Sequence, residues 1–147
     1  MKIISVIMRG NPDIKARPVF PDEKGIKDKI KKRNKNQFKA CKRTFLEVIY
    51  EAEGKMHQRV LSNTPGFIFD GASIPFGIGK GDMRLLVPAL WHDWLCREQR
   101  SSCSRKFASL VFKELLLKCG IPKIKAQIMY SAVEMHQMIT GGWGKDE

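Results

Sequence analysis

The sequence predicts an α+β fold, in which a small antiparallel sheet of about four short strands in the N-terminal half is packed by about three C-terminal helices. Two patterns predict it. Before residue 70, apolar and polar residues alternate with the period of two that is typical of strands. After residue 82, apolar residues recur every three or four positions, as on one face of a helix. With 147 residues and a hydrophobic content of 43%, the chain is long enough for one core, so we expect a single domain over 1–147.

Four segments are predicted to form the strands of this sheet. Lys2–Met8 is rich in Ile and Val, which favour strands. Residues 44–52 and 56–61 lie on either side of the turn residues Glu53-Gly54, so together they predict a β-hairpin. The short apolar run at 66–69 is the fourth strand.

Three helices are predicted in the C-terminal half. The first runs from about Pro88 to Arg97, because proline fits best at the start of a helix, and Asp82 is a candidate N-cap before it. The second covers about 104–119 and the third about 122–140. On the third helix, one apolar stripe comprises Ile124, Ile128, Ala132 and Met135.

A basic run dominates the charge of the chain. The formal net charge is +12, and residues 24–43 hold ten Lys/Arg against one acid, Asp28, a local net charge of +9. We expect residues 22–40 to form a mobile basic loop or insertion within the domain, after an extended edge piece at 13–23. Such a run favours nucleic acid, an acidic protein or anionic lipid head groups as partners, whereas the alternative is a solvated loop that only aids solubility. The residues predicted to contact nucleic acid or an acidic partner are Lys27, Lys29, Lys31, Lys32, Arg33, Lys35, Lys39, Lys42 and Arg43.

Neither a transmembrane segment nor an export signal is predicted. The longest early apolar run, Ile3–Met8, is interrupted by Ser5 and is too short for either. We therefore expect a protein that is not secreted by a signal peptide. The four cysteines form no Cys-x-x-Cys pair and have the wrong spacing for the common zinc modules, so we expect reduced thiols.

The most specified bend in the sequence follows the fourth strand. It comprises Asp70, Gly71, Ala72, Ser73, Ile74 and Pro75. Asp70 can accept hydrogen bonds from the backbone N–H groups that follow it, Gly71 permits a positive φ, and Pro75 restricts the residue before it to extended conformations. Such a bend orients the Asp70 carboxylate and the Ser73 hydroxyl, which either a functional site or a structural corner would require.

The second chemical motif is Trp91-His92-Asp93-Trp94, in the first predicted helix. Asp93 and Arg97 have the spacing i, i+4, which predicts a surface ion pair. His92 and Cys96 have the same spacing, which suits two ligands of one metal ion. A histidine between two tryptophans is also typical of a buried, hydrogen-bonded core residue.

Together, Asp70, His92 and Asp93 would form a cluster of two carboxylates and one imidazole, and they are the catalytic candidates. Asp70 and His92 would bind a divalent metal ion as cofactor, and Asp93 would be a further ligand or an acid/base group, as in a metal-assisted hydrolase. In the alternative interpretation, the two motifs form a buried structural corner in which Asp70 ties the bend to the first helix. The sequence leaves both interpretations open.

Four motifs give the chain a resemblance to a known family. They are Gly-Phe-x-x-Asp-Gly-Ala-Ser-Ile-Pro at 66–75, Ala-Leu-x-His-Asp-x-Leu at 89–95, Ser-Arg-Lys followed by an apolar helix at 104–116, and Met-Tyr-x-Ala-Val at 129–133. Over roughly residues 44–143, the chain resembles small bacteriophage and prophage proteins that are grouped as Domain of Unknown Function 1353. The resemblance implies a phage origin, one shared feature for the Asp70 bend and His92-Asp93, and no established activity. It also implies an acid shortly after Ser-Arg-Lys, where this chain has Ser109, so a metal or catalytic site that uses that acid would be altered here.

These observations favour a phage-encoded accessory or virion-associated protein, such as a module of the tail or head, located in the host cytoplasm or in the virion. Its basic segment would contact nucleic acid or an acidic phage or host protein. The alternative function is a metal-assisted hydrolase with a site built from Asp70, His92 and Asp93.

Overall fold

A computed structural model describes residues 1–16, 37–70, 83–99 and 102–140 of the chain. In these residues, the strands are β1 Lys2–Arg9, β2 Ile14–Ala16, β3 Gln37–Ala40, β4 Phe45–Ala52, β5 Lys55–Ser62 and β6 Phe67–Asp70. The α-helices are α1 Leu86–Glu98, α2 Arg105–Lys118 and α3 Lys123–Thr140. The predicted α+β class is confirmed. The strands are divided between two antiparallel sheets, sheet 1 with the order β1-β4-β5 and sheet 2 with the order β2-β3-β6.

Sheet 1 contains the predicted hairpin. Strands β4 and β5 pair from Phe45↔Ser62 to Ala52↔Lys55, and the turn residues Glu53 and Gly54 both have positive φ, at 55° and 72°. Two successive positive φ angles are what a tight turn needs to match the twist of the strands it joins. The alternation expected in β4 is confirmed, because Leu46 and Val48 are fully buried on one face while the other face points away from the core.

Sheet 2 is where the structure departs most from the sequence-based expectation. Strand β3, at the end of the predicted loop 22–40, pairs with β2 on one side and β6 on the other. Ala40, Phe67 and Phe69 lie on its buried face. Strands β2 and β3 have only three and four residues, too few for an alternating pattern to be recognised. Their conformation is therefore decided by the pairing of β2 with β3 and of β3 with β6.

The helices confirm the predicted positions within a few residues. Helix α1 follows a 3₁₀ turn at Met83–Leu85, and Pro88 lies in its first turn, where a backbone N–H has no partner within the helix. The predicted N-cap Asp82 lies outside the described residues. Helix α2 begins with a true cap, since the Ser104 hydroxyl accepts a hydrogen bond from the Phe107 N–H at 3.0 Å.

The apolar stripe predicted on α3 is largely on the wrong face. Ile124 is 79% exposed, and Ile128 and Met135 are also exposed. The residues that cluster with Phe112 and Leu116 of α2 are instead Ala126, Met129 and Val133, and Ala132 is the one member of the predicted stripe that is buried. This helix has two apolar stripes, and the small side chain of Ala126 on the buried one allows a close approach of the backbones of α2 and α3.

The main core lies between the two sheets and helices α1 and α2. Its largest fully buried side chains include Trp91 and Phe69. A smaller cluster fills the space between α2 and α3 around Phe112 and Met129. Within the described part of the chain, no helix has the length and apolar character that crossing a membrane requires.

Candidate functional site

The Asp70 bend and the His92-Asp93 motif lie on neighbouring elements. Strand β6 ends at Asp70 and packs against α1, where the rings of Phe67 and Trp94 meet edge to face at 5.0 Å. Gln37 of β3 pairs with Asp70, so the end of β6 has a fixed place at the edge of the buried core. The side chain of Asp70 and the rest of the motif, 71–75, lie outside what the structure describes.

Arg97 is the residue that joins the two motifs. Its Nη2 atom donates to the carbonyl oxygen of Ile68 at 2.7 Å and to Asp93 Oδ2 at 3.2 Å. Its guanidinium also lies over the ring of Phe67, 4.7 Å from the ring centroid. The predicted ion pair of Asp93 and Arg97 is therefore confirmed, and the Asp93 side chain is only 13% exposed.

We expect Arg97→Ala to lower the free energy of unfolding by about 1–2 kcal/mol, because it removes the bond to β6 and the contact with Phe67. Arg97→Lys should lose about half as much, since it keeps the charge but not the planar fork. Urea unfolding followed by circular dichroism measures both. Equal losses in the two variants would contradict a role for the guanidinium geometry.

His92 contacts a different part of the molecule from Asp93. Its ring lies 5.1 Å from the ring of Phe112 on α2, and its Nε2 atom is 3.4 Å from Gln137 Nε2 on α3. Since consecutive residues of a helix point about 100° apart, His92 faces the other helices while Asp93 faces Arg97. In the part of the chain that the structure describes, no three His, Cys, Asp or Glu side chains form a group that could hold a metal ion.

A buried polar network surrounds His92. Cys96 Sγ lies 3.7 Å from His92 Nε2 and 3.8 Å from Nδ1, and Gln137 Nε2 donates to the same sulfur at 3.4 Å. The Ser109 hydroxyl donates to Gln137 Oε1 at 3.3 Å. Gln137 could not be identified from the sequence, because a glutamine on an amphipathic helix is ordinary and its contacts depend on the packing of three helices.

Burial keeps both ionisable groups of this network in their neutral forms. Burial lowers the pKa of His92 to about 4, so the imidazole is neutral at neutral pH. Burial, followed by the negative charge of Asp93, raises the pKa of the Cys96 thiol to about 12. An activated cysteine has the opposite arrangement, a thiolate beside a positively charged partner, whereas His92 and Cys96 are both neutral here.

The described part of the basic run is organised by sheet 2. Lys15 of β2 and Lys39 of β3 are direct cross-strand partners, and both are exposed. Ala16 pairs with Phe38, so the described residues on either side of 17–36 lie beside each other. The predicted contact residues Lys27, Lys29, Lys31, Lys32, Arg33 and Lys35 lie outside the described residues.

A comparison with known protein families agrees with the resemblance that the sequence motifs indicated. A profile of the family described as Protein of unknown function (DUF1353) matches residues 43–133, which include both β6 and the His92-Asp93 motif. No curated protein and no solved structure matches the chain. Because the family match covers more than half of the sequence and the chain has the expected motifs in place, this chain belongs to the family of proteins of unknown function DUF1353.

Proposed function

We propose that the protein is a phage-encoded accessory or virion-associated protein that binds nucleic acid through the basic segment held by sheet 2. The distribution of charge carries this proposal. Residues 1–42, which precede the family match, hold 13 of the 27 Lys/Arg and four of the 15 Asp/Glu, and so contribute +9 of the net charge of +12. The phage origin is supported by the resemblance of the motifs to phage and prophage proteins.

The pairing of β2 with β3 adds a geometric argument. Lys15 and Lys39 are opposite one another, and two like charges in that position destabilise a sheet. Asp13, whose carboxylate lies 3.8 Å from Lys15 Nζ, is an ion-pair partner of Lys15 within the described residues. A bound polyanion would further offset the repulsion between the two lysines, because each phosphate can pair with a lysine.

The expected mode of binding follows from the chemistry of lysine-rich segments. Lysine is a flexible point charge that contacts phosphates without reading bases. Binding through the basic segment should therefore depend little on sequence and should weaken steeply as the salt concentration rises, because bound cations are released from the nucleic acid.

The decisive variant replaces residues 17–36 by a short Gly-Ser linker. It keeps Ala16, Gln37 and the pairing of β2 with β3, so the fold should be retained. It removes eight Lys/Arg and three Asp/Glu. We expect nucleic-acid affinity to fall by more than tenfold at low salt and the dependence on salt to become shallower, measured by fluorescence anisotropy.

The matched control contains residues 17–36 in shuffled order, which conserves charge and length. The shuffled variant should bind like the unmodified protein, and circular dichroism should show that both variants are folded. Equal affinity of the linker variant and the unmodified protein would disprove the proposal. If the protein binds polyglutamate more tightly than nucleic acid of equal charge, the partner is an acidic protein and not nucleic acid.

The alternative, a metal-assisted hydrolase with Asp70, His92 and Asp93, has less support because His92 and Asp93 contact different elements. Elemental analysis of the native protein and of folded Asp70→Ala tests it. About one zinc, manganese or iron per chain that is lost in the variant would favour the hydrolase over a binding protein.

A further inference from the structure

The outer face of sheet 1 carries an exposed aromatic residue between two arginines. Phe45, the first residue of β4, is 44% exposed. Arg9 of β1 is its cross-strand partner on one side, and Ser62 of β5 is its partner on the other. Arg43 Nη1 donates to the Ser62 hydroxyl at 3.0 Å, so Phe45 has Arg9 on the neighbouring strand on one side and a residue bonded to Arg43 on the other.

Glu47, an acid on this face, pairs with only one of the two arginines. Glu47 accepts a hydrogen bond from Gln58 at 2.7 Å and from Arg9 at 3.5 Å. The Arg9 side chain is 65% exposed, and a guanidinium has five N–H donors, so Arg9 keeps donors for another anion. Glu47 thus orients Arg9 without using all of its donors.

The arrangement of Phe45 with Arg9 and Arg43 fits a nucleotide, which has both a planar base and a phosphate, better than an isolated anion. Direct cross-strand neighbours have Cβ atoms about 5 Å apart, so Arg9 can reach a planar group stacked on Phe45. Arg43 bonds Ser62, the partner of Phe45 on the other side, and can reach such a group from there. An exposed aromatic ring that is flanked by arginines is the combination with which proteins bind unpaired bases and the adjoining phosphates. In a duplex the bases are already stacked on each other and cannot use such a ring.

We propose that Phe45, Arg9 and Arg43 form a stacking site for an unpaired base of single-stranded nucleic acid. This inference rests on the proposed nucleic-acid binding and specifies its ligand. Arg43 is the last residue of the basic run 24–43, and Phe45 follows it after one residue, so the run leads directly to the ring. The basic segment supplies affinity for phosphates, and Phe45 supplies the preference for single strands.

The test compares a single-stranded oligothymidylate with a duplex of the same length, by fluorescence anisotropy of the labelled nucleic acid at fixed salt. The full-length protein should bind the single strand more tightly. Phe45→Ala should weaken single-strand binding by about tenfold and leave duplex binding nearly unchanged, because stacking is lost while the charges remain. Phe45→Leu, which keeps an apolar side chain without the ring, should lose nearly as much.

Two further variants are the controls. Phe45→Trp should retain the affinity, and the added tryptophan fluorescence should be quenched by the single strand. Val60→Ala, at a 60% exposed position on the same outer face, should change neither affinity. Since Phe45 and Val60 are both exposed, these variants should fold, which circular dichroism checks.

Each result has a distinct meaning. Equal affinity for single strand and duplex in the full-length protein, or an unchanged single-strand affinity in Phe45→Ala, disproves the stacking site. If the stacking site is disproved in this way but replacing residues 17–36 still abolishes nucleic-acid binding, the proposed function stands without the stacking site. Binding to neither nucleic acid disproves both proposals.

Discussion

Lowering the pH from about 7.5 to about 5 is expected to reduce the free energy of unfolding by about 2 kcal/mol through His92 alone. The imidazole is 8% exposed, and burial lowers its pKa to about 4, against about 6.5 in an unfolded chain. Between these two values the unfolded chain binds a proton that the folded protein does not bind. Stability from this residue is therefore complete above pH 6.5 and is lost as the pH falls towards 4.

Urea unfolding at a series of pH values measures the effect, and His92→Gln is the matched control. Glutamine is polar and of similar length but does not titrate, so the difference between the two proteins isolates the histidine from the carboxylates. We expect the two curves to diverge below pH 6.5. Parallel curves would show that His92 is protonated as easily in the folded protein as in the unfolded chain, contrary to its burial between three helices.

Asn63→Ala is expected to lower the free energy of unfolding by about 3 kcal/mol, because one side chain satisfies four groups. Asn63 is fully buried, and its Oδ1 atom accepts from the Thr44 N–H at 2.8 Å and from the Thr44 hydroxyl at 2.5 Å. Its Nδ2 atom donates to the carbonyl oxygens of Lys42 and Thr64 at 3.1 and 3.2 Å. These bonds connect the segment after β3, in sheet 2, with the segment after β5, in sheet 1. They therefore fix the position of one sheet relative to the other.

A double-mutant cycle with Thr44→Val separates this network from simple loss of packing. Thr44→Val removes only the hydroxyl and should cost about 1 kcal/mol. The combined variant should lose less than the sum of the two single variants, because both remove the bond between the hydroxyl and Oδ1. Strictly additive losses in thermal or urea unfolding would contradict the network.

Segments with a strong local pattern were predictable. The hairpin β4–β5 follows from alternating residues on both sides of Glu53-Gly54, and α2 follows from apolar spacing after a serine that can cap the helix. The ion pair of Asp93 with Arg97 follows from one turn of helix. In each case the interaction lies within a short stretch of chain, so the sequence contains all of its partners.

Contacts between distant residues could not be predicted in this way. Strand β3 forms because it pairs with β2 and β6. Asn63 stabilises the fold because the hairpin β4–β5 brings it beside Thr44, 19 residues earlier in the chain. The exposure of Ile124 and Ile128 also depends on which of two apolar stripes on α3 fits against α2. The local sequence does not show which of the two stripes is buried, because that depends on how closely the two helices approach.

By itself, the sequence determined the α+β class, the family motifs, the hairpin and the concentration of positive charge before residue 44, since these depend on composition and local periodicity. Only the tertiary structure decided that His92 and Cys96 contact Gln137 of α3 and that Arg97 bonds the carbonyl oxygen of Ile68 in β6. Likewise, only the pairing of β1, β4 and β5 placed Arg9 and Ser62 on either side of Phe45. The physical reason is that a site combines side chains from separate strands and helices, whose proximity is set by packing and strand register.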